Sequence, residues 1–320
     1  MGRRVQSSFE LEVFDQSASP LRRLEAYLGI YVQYFSPKHR TDTKELIYYL
    51  GSPLQGRRII YFGLSFKGDA CGFAVLMYYP DEKIGIFDFI VIAPNRRGYG
   101  AYFAFADLIA EYLEEKRIIA NYFVSEVLVD YASSAHAMGP HMLVRLLRFQ
   151  GFKRARIDYM APDPSCVKSV SSCRALLMIA PSPDREQIDA GEFMKIVDLI
   201  YFNHYLRWYG PFLSDGRKVE YARVLTEERE RLHQRAHAND PITLNGMKDA
   251  DVRLEPATER HRAGLAVVLM TSALVSIPLA VAPSVQTGIV VLSLAAVIFV
   301  AVLSNRTVRR QFLRIFDQLG

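Results

Sequence analysis

Cysteine is scarce in this sequence. Its 320 residues include three, Cys71, Cys166 and Cys173. An odd number without a Cys-x-x-Cys pair gives no disulfide framework and no thiolate metal motif, so a reducing compartment, core cysteines and no metal are expected. The N-terminal residues MGRRVQSSFE lack the apolar stretch of a signal peptide. Their Met-Gly start lacks the Ser or Thr that myristoylation wants at position 6, where Gln6 stands. Charge of one sign is also limited: the net charge is +5. No domain-wide basic stripe with interleaved aromatics occurs, so nucleic acid is not an expected partner. What the chain does have is apolar residues, half of the total, with 12% aromatic. That composition builds a buried core rather than a disordered chain. The length allows one large domain or two of roughly 100–200 residues each.

Residues 5–182 alternate strand-like and helix-like patterns. SFELEVF (8–14) reads as a strand, and 20–35 and 43–51 as helices, the second ending at a plausible C-cap, Gly51. RIIYFGLSF (58–66), CGFAVLMYY (71–79) and KIGIFDFIVIA (83–93) read as three strands joined by the turns KGD (67–69) and PDE (80–82). A helix follows with Ala101, Phe105, Leu108, Ile109, Tyr112 and Leu113 on one face. Then come a strand at 121–129, a loop with a helix between Ser133 and Gln150, and a final hairpin from 152–160 and 174–180. The expected fold class is therefore α/β (α+β mixed sheet). Residues 185–258 read as a helical extension and linker, with amphipathic and charged helices at 192–210 and 220–238 and the linker from 239.

Two long charge-free runs stand apart, AGLAVVLMTSALVSIPLAVA (263–282) and VQTGIVVLSLAAVIFVAVL (285–303). Each is about 20 residues, the length that crosses a hydrocarbon core of about 30 Å. Only Pro283 and Ser284 separate them, so a transmembrane helical hairpin is expected over 263–303, with a basic cytosolic tail over 304–320. Arg260, Arg262, Arg306, Arg309, Arg310 and Arg314 flank its outer ends, which puts both termini and the main domain in the cytosol of a multi-pass membrane protein. The competing readings are a buried hairpin in a soluble domain and a re-entrant one broken at Pro278. Neither run contains GxxxG, and a homo-oligomer stays open.

The turn PNRRGYGA (94–101) joins an apolar strand to a helix. Gly98 and Gly100 remove the Cβ atoms that would hold a ligand away from the backbone. Helix N-termini bind anions, and Arg96 and Arg97 add positive charge, so a pyrophosphate fits. A dinucleotide fingerprint would need a third glycine where Phe103 stands, and a P-loop would need Gly-Lys-Ser/Thr, which is absent.

The strand, the Pro-x-x-Arg-Gly-x-Gly turn formed by Pro94, Arg97, Gly98 and Gly100, and the helix after it resemble the GNAT superfamily of N-acetyltransferases. Asn95 departs from that pattern, standing where Gln or Arg is usual. The order of elements over 8–180 and the Gly-Phe pair in FQGFKRARIDYM (149–160) extend the resemblance. It implies acetyl-CoA as co-substrate, lying between the fourth and fifth strands. Backbone groups around Val91 and Ile92 would hold its pantetheine arm. The amides of Arg97, Gly98, Tyr99, Gly100 and Ala101, with Arg96 nearby, would hold its pyrophosphate. An acceptor amine, on a small molecule or a protein, would attack the thioester directly.

The acceptor must first lose a proton, and two carboxylates are candidates for the base, Asp88 on the fourth strand and Glu126 on the fifth. The plain alternative for Asp88 is a satisfied structural or edge-strand aspartate. The family often carries a tyrosine as thiolate acid where this chain has Leu147. Tyr131, His136 and His141 are then candidate acids, each with an ordinary loop role as the alternative. The aromatic cluster YFNHYLRWYGPF (201–212) reads as packing against the main domain, with a lid, a dimer surface or a membrane-surface element as other readings. Two activities follow: a membrane-anchored cytosolic N-acetyltransferase with the bilayer as a partner, or a catalytically degenerate acetyl-CoA sensor or membrane scaffold. A channel gated by the soluble part is disfavoured, because the apolar runs carry no ionisable residue.

Overall fold

The computed structural model describes residues 8–15, 21–35, 40–52, 54–129, 139–163 and 172–245. The expected hairpin at 263–303 and the tail at 304–320 lie outside the described residues. Among the described residues no helix is long and apolar enough to cross a membrane.

Strand β1 (Phe9–Phe14) is followed by helices α1 (Leu21–Tyr34) and α2 (Thr43–Gly51). Asp42 caps α2, its side chain accepting from the Lys44 amide at 2.9 Å. Strands β2 (Arg58–Phe66), β3 (Asp69–Tyr79) and β4 (Ile84–Ile92) then form an antiparallel meander with β1. Lys67 and Gly68 both have positive φ, 53° and 85°, which is the two-residue turn whose twist suits a hairpin. A short 3-10 helix (Pro94–Tyr99) leads into α3 (Ala101–Glu115). Strand β5 (Tyr122–Leu128) lies parallel to β4, the one parallel pairing among the described strands. After α4 (Pro140–Phe149) come β6 (Lys153–Ala155), β7 (Tyr159–Pro162) and β8 (Ser172–Pro181). The remaining elements are β9 (Gln187–Ile188), α5 (Ala190–Asp198), a π-helical stretch (Leu199–Leu206), α6 (Arg207–Tyr209), a 3-10 turn (Gly210–Phe212), α7 (Asp215–Ala238) and β10 (Ile242–Asn245).

The sheet runs β1-β2-β3-β4-β5-β8-β6-β10-β9, with β7 also on β8. Both faces are covered, which is why the central strands read as continuous apolar runs rather than alternating ones. Leu24, Tyr31, Phe193, Trp208 and Tyr221 fill the core on the face that carries α1, α2, α5 and α7. Phe105 and Ile109 of α3 with Val144 and Leu147 of α4 fill the core on the other face.

Two segments differ from expectation. The single strand expected at 152–160 is two, because the Arg156 amide leaves β8 and bonds the Thr243 carbonyl at 2.9 Å. The linker expected from residue 239 contains β10, which pairs with β6 and β9. Its buried Ile242 and Leu244 alternate over too few residues to show as a period.

Candidate active site

Strands β4 and β5 pair from Ile84↔Tyr122 to Phe87↔Ser125, and there the ladder ends. At the same point the other edge of β4 is irregular. Val75 faces Phe89 and Leu76 faces Phe87, so Asp88 has no partner on β3. This is a β-bulge, a device that bends a strand and re-aims its side chains. Ile84 and Ile86 face the α1 side before it, and Phe89 and Val91 face that side after it. The inserted residue shifts the alternation by one. It also bends β4 away from β5 and opens a cleft lined by Asp88, Phe89, Ile90, Val91, Ser125 and Glu126. Tyr34, Phe35, Pro140 and Leu143 close its sides, and Arg97 lies at its rim.

The backbone of β4 along this cleft is half free. The Ala93 amide bonds the Cys71 carbonyl at 2.8 Å. Alternation along an antiparallel ladder then turns the groups of Val91 toward β3 and those of Ile90 and Ile92 toward the cleft. The Ile92 carbonyl accepts from Arg97 Nε at 3.0 Å. Of the two positions singled out in the sequence, Ile92 faces the gap with its carbonyl engaged, and Val91 is turned into the sheet. Ile90 was not singled out and faces the gap.

The glycine turn is a 3-10 helix followed by Gly100 at φ +72°, in the left-handed region, and among the described residues no side chain caps α3 there. Gly98 and Tyr99 lie in that short helix and Ala101 opens α3. Arg96 is held elsewhere. Its guanidinium lies 4.7 Å from the Phe66 ring centroid and 3.9 Å from Asp69, turned toward the β2–β3 hairpin.

Both candidate carboxylates reach the cleft. Glu126 Oε1 accepts from Tyr159 at 2.5 Å and Oε2 from Tyr205 at 2.8 Å. Burial pushes the Glu126 carboxyl up to about 7; the two tyrosine hydrogen bonds oppose that shift, and nearby Asp88 adds to it. Burial and the Glu126 charge in turn hold both tyrosines well above their ordinary value, as protonated donors. Asp88 Oδ1 lies 3.3 Å from His204 Nε2, and the His204 side chain is 4% exposed. Which of the two donates follows the imidazole tautomer. Among the described residues His204 Nδ1 is buried with no hydrogen-bond partner.

His204 and Tyr205 come from the π-helical stretch. Wide turns of this kind concentrate at functional sites. Here two consecutive side chains reach two carboxylates on two diverging strands. The aromatic cluster at 201–212 does pack, as expected: Trp208 lies 4.2 Å from Tyr49 between ring centroids, and its Nε1 donates to Glu45 at 3.2 Å. It also supplies site groups, which its apolar helical spacing concealed. Tyr159 was likewise unmarked within an expected strand, and Tyr201 supports that strand by donating to the Met160 carbonyl.

Leu147 is 1% exposed and belongs to the α3–α4 core. His141 is exposed in the first turn of α4, away from the cleft lining. Tyr131 and His136 lie outside the described residues. Among the described residues no group of three or more His, Cys, Asp or Glu side chains is arranged to hold a metal.

No protein-family model matches the chain, and no curated protein matches it. Solved structures that resemble it are acetyltransferases. A protein from Bacteroides thetaiotaomicron assigned to the GNAT family is 14% identical, with a TM-score of 0.44 over 61% of this chain and 98% of that one. The ribosomal-protein-S18-alanine N-acetyltransferase of Escherichia coli is 17% identical, with a TM-score of 0.36 over 54% and 94%. An acetyltransferase-type protein from Salmonella typhimurium, solved with its cofactor acetyl-CoA, is 14% identical, with a TM-score of 0.34 over 54% and 94%.

Proposed function

We propose that this chain is an acetyl-CoA-dependent N-acetyltransferase acting on a primary amine, held on the cytosolic side of a membrane by the charge-free runs at 263–303. The observation that carries the reading is the coincidence of three features at Asp88: the bulge, the end of the β4–β5 ladder and the half-buried Glu126 carboxylate across the gap. The free backbone edge at Ile90 suits an extended amide-bearing arm such as pantetheine. The uncapped start of α3 behind Gly100, with Arg97 beside it, suits a pyrophosphate.

Glu126 is the base in this reading. A carboxyl near 7 is ionised often enough at neutral pH to accept a proton and basic enough to take one from an ammonium. The freed amine attacks the thioester carbonyl, a β4 backbone amide stabilises the oxyanion, and the carbon–sulfur bond breaks. The proton lost by the nitrogen restores the thiol. Asp88, held by His204, sets the negative potential that draws a cationic acceptor into the cleft.

Acetyl-CoA binding by the detergent-solubilised full chain, measured by calorimetry against the Gly98→Glu/Gly100→Glu variant, tests the cofactor site. Binding lost in a folded variant supports the reading, and no binding by folded wild type removes it. Release of free thiol with a panel of amines then separates an enzyme from a sensor. Binding with no thiol release from any amine favours the sensor.

A further inference from the structure

The last two turns of α7 hold a pair of side chains that the cleft does not use. His233 and His237 lie four residues apart in the segment HQRAH (233–237). That spacing places them one above the other on one face of a helix. Their ring centroids are 4.3 Å apart, and the two Nε2 atoms converge to 3.0 Å. His237 is exposed and His233 is half-buried.

Between two neutral imidazoles this approach needs one Nε2–H aimed at the other ring's lone pair. A metal ion that takes the place of the shared proton meets two lone pairs instead. With metal–nitrogen bonds of about 2.0–2.1 Å, nitrogens 3.0 Å apart subtend about 90–100° at the ion. That is the cis angle of a tetragonal or octahedral site. A tetrahedral ion wants the nitrogens about 3.3 Å apart, a spacing that small rotations of surface rings supply. Imidazole suits copper, nickel and zinc, whereas calcium and magnesium take oxygen ligands. The surroundings admit a cation. His237 lies in the last turn of α7, the end of a helix that favours positive charge. The arginines of the same turns are drawn off by carboxylates: Arg229 by Asp198 at 2.9 Å, Arg231 by Glu228 at 2.6 Å and Arg235 by Asp158 at 3.7 Å. Glu230 precedes His233 by three residues and adds a negative charge to its stripe. Helix α5, which packs against α7, carries Glu192, Lys195 and Asp198. Arg185 holds Glu192 at 2.9 Å, so Lys195 is the cation that this neighbour contributes.

We propose that His233 and His237 form a two-imidazole site for a divalent transition metal ion, with water in the remaining positions. Cu²⁺ binds it most tightly, because nitrogen ligands follow the order in which copper exceeds nickel and zinc and because the cis angle is the one Cu²⁺ prefers. The ion spans one helical turn and so clips the end of α7, which leads into β10. Neither histidine lines the cleft, so the site stands apart from acetyl transfer and does not depend on that reading.

The test titrates the untagged full chain in detergent with CuCl₂, NiCl₂, ZnCl₂ and MgCl₂ by calorimetry, with electron paramagnetic resonance on the copper sample. One Cu²⁺ site per chain is expected, with weaker Ni²⁺ and Zn²⁺ binding and no Mg²⁺ binding. His233→Asn and His237→Asn should each weaken Cu²⁺ about 10²-fold, because the second imidazole binds as an intramolecular ligand. Two coupled nitrogens in the copper spectrum should become one. His141→Asn, an exposed histidine on α4, should change neither readout. Both α7 positions reach solvent, and unchanged melting of the metal-free variants checks their fold. Absence of Cu²⁺ binding by folded wild type overturns the site, as does Mg²⁺ binding of equal strength. Weakening in only one of the two α7 variants means a single imidazole and overturns the pair. Equal weakening in His141→Asn, or none in either α7 variant, places the ion elsewhere and overturns it too.

Discussion

Tyr205 donates a 2.8 Å hydrogen bond to Glu126, reaching from a helix outside the central strands to a carboxylate between two of them. Desolvation raises this carboxyl from 4.5 to about 7. The proposed reaction uses Glu126 as its base, active when deprotonated, so the rate should rise with pH through about 7 and then level. Glu126→Gln should lower kcat/KM at pH 8 by about 10²–10⁴-fold and remove that limb. A pH–rate profile of both proteins checks it; an unchanged limb in the variant assigns the titration elsewhere.

The tyrosines supply the next test. Their hydrogen bonds stabilise the charged form of Glu126 and so hold its pKa down. Each such bond to a charged group is worth roughly 1.5–3 kcal/mol. Tyr205→Phe and Tyr159→Phe should move the rising limb to higher pH, with activity recovered in alkali, and the double variant should move it further. A uniform loss at every pH would mean that the hydroxyls act on something other than Glu126.

Part of this arrangement was legible in the residues. β2 falls on 58–66 as expected because its apolar run ends at Lys67-Gly68, whose turn leaves the chain little choice. Asp88 and Glu126 were visible as carboxylates on apolar strands. The bulge was not, since the run IGIFDFIVI is apolar on both faces and hides a one-residue shift in alternation. His204 and Tyr205 were hidden for a related reason: they sit in an aromatic stretch whose spacing is satisfied by packing alone. β10 is four residues long, too short for a period to emerge.

Gly100 separates conformation from contact. A Cβ built there meets nothing within 4 Å, yet φ is +72°. Gly100→Ala should therefore cost about 1 kcal/mol through backbone strain, without a clash. Acetyl-CoA affinity should fall only modestly, whereas the larger, negative side chain of Gly100→Glu should abolish it. Melting and calorimetry on the two variants distinguish these effects.

Gly85 fixes the closed end of the gap. It pairs with Phe123, and a Cβ there would sit 2.5 Å from the phenyl ring. Gly85→Ala should lose about 1–3 kcal/mol by overpacking. Phe123→Leu in the same chain should return part of it, because the two shortest contacts are to that ring, with Leu76 Cδ1 next at 3.2 Å. Denaturant melts of the single and double variants measure the coupling.

Stability should carry the same titration with its own sign. Glu45, 7% exposed beneath Trp208, is raised by burial from 4.5 to about 7, as Glu126 is. Between those values the folded chain binds protons that the unfolded chain has released. Stability from these two groups is therefore full below about 4.5 and lost as pH rises through about 7. The loss is on the order of 3 kcal/mol for a carboxyl raised this far, and less where solvent reaches the group. Glu45→Gln and Glu126→Gln remove the ionisation, so each should gain on wild type as pH goes from 5 to 8. Thermal melts across that range should show the curves converging or crossing; parallel curves would mean that neither carboxyl is raised in the fold.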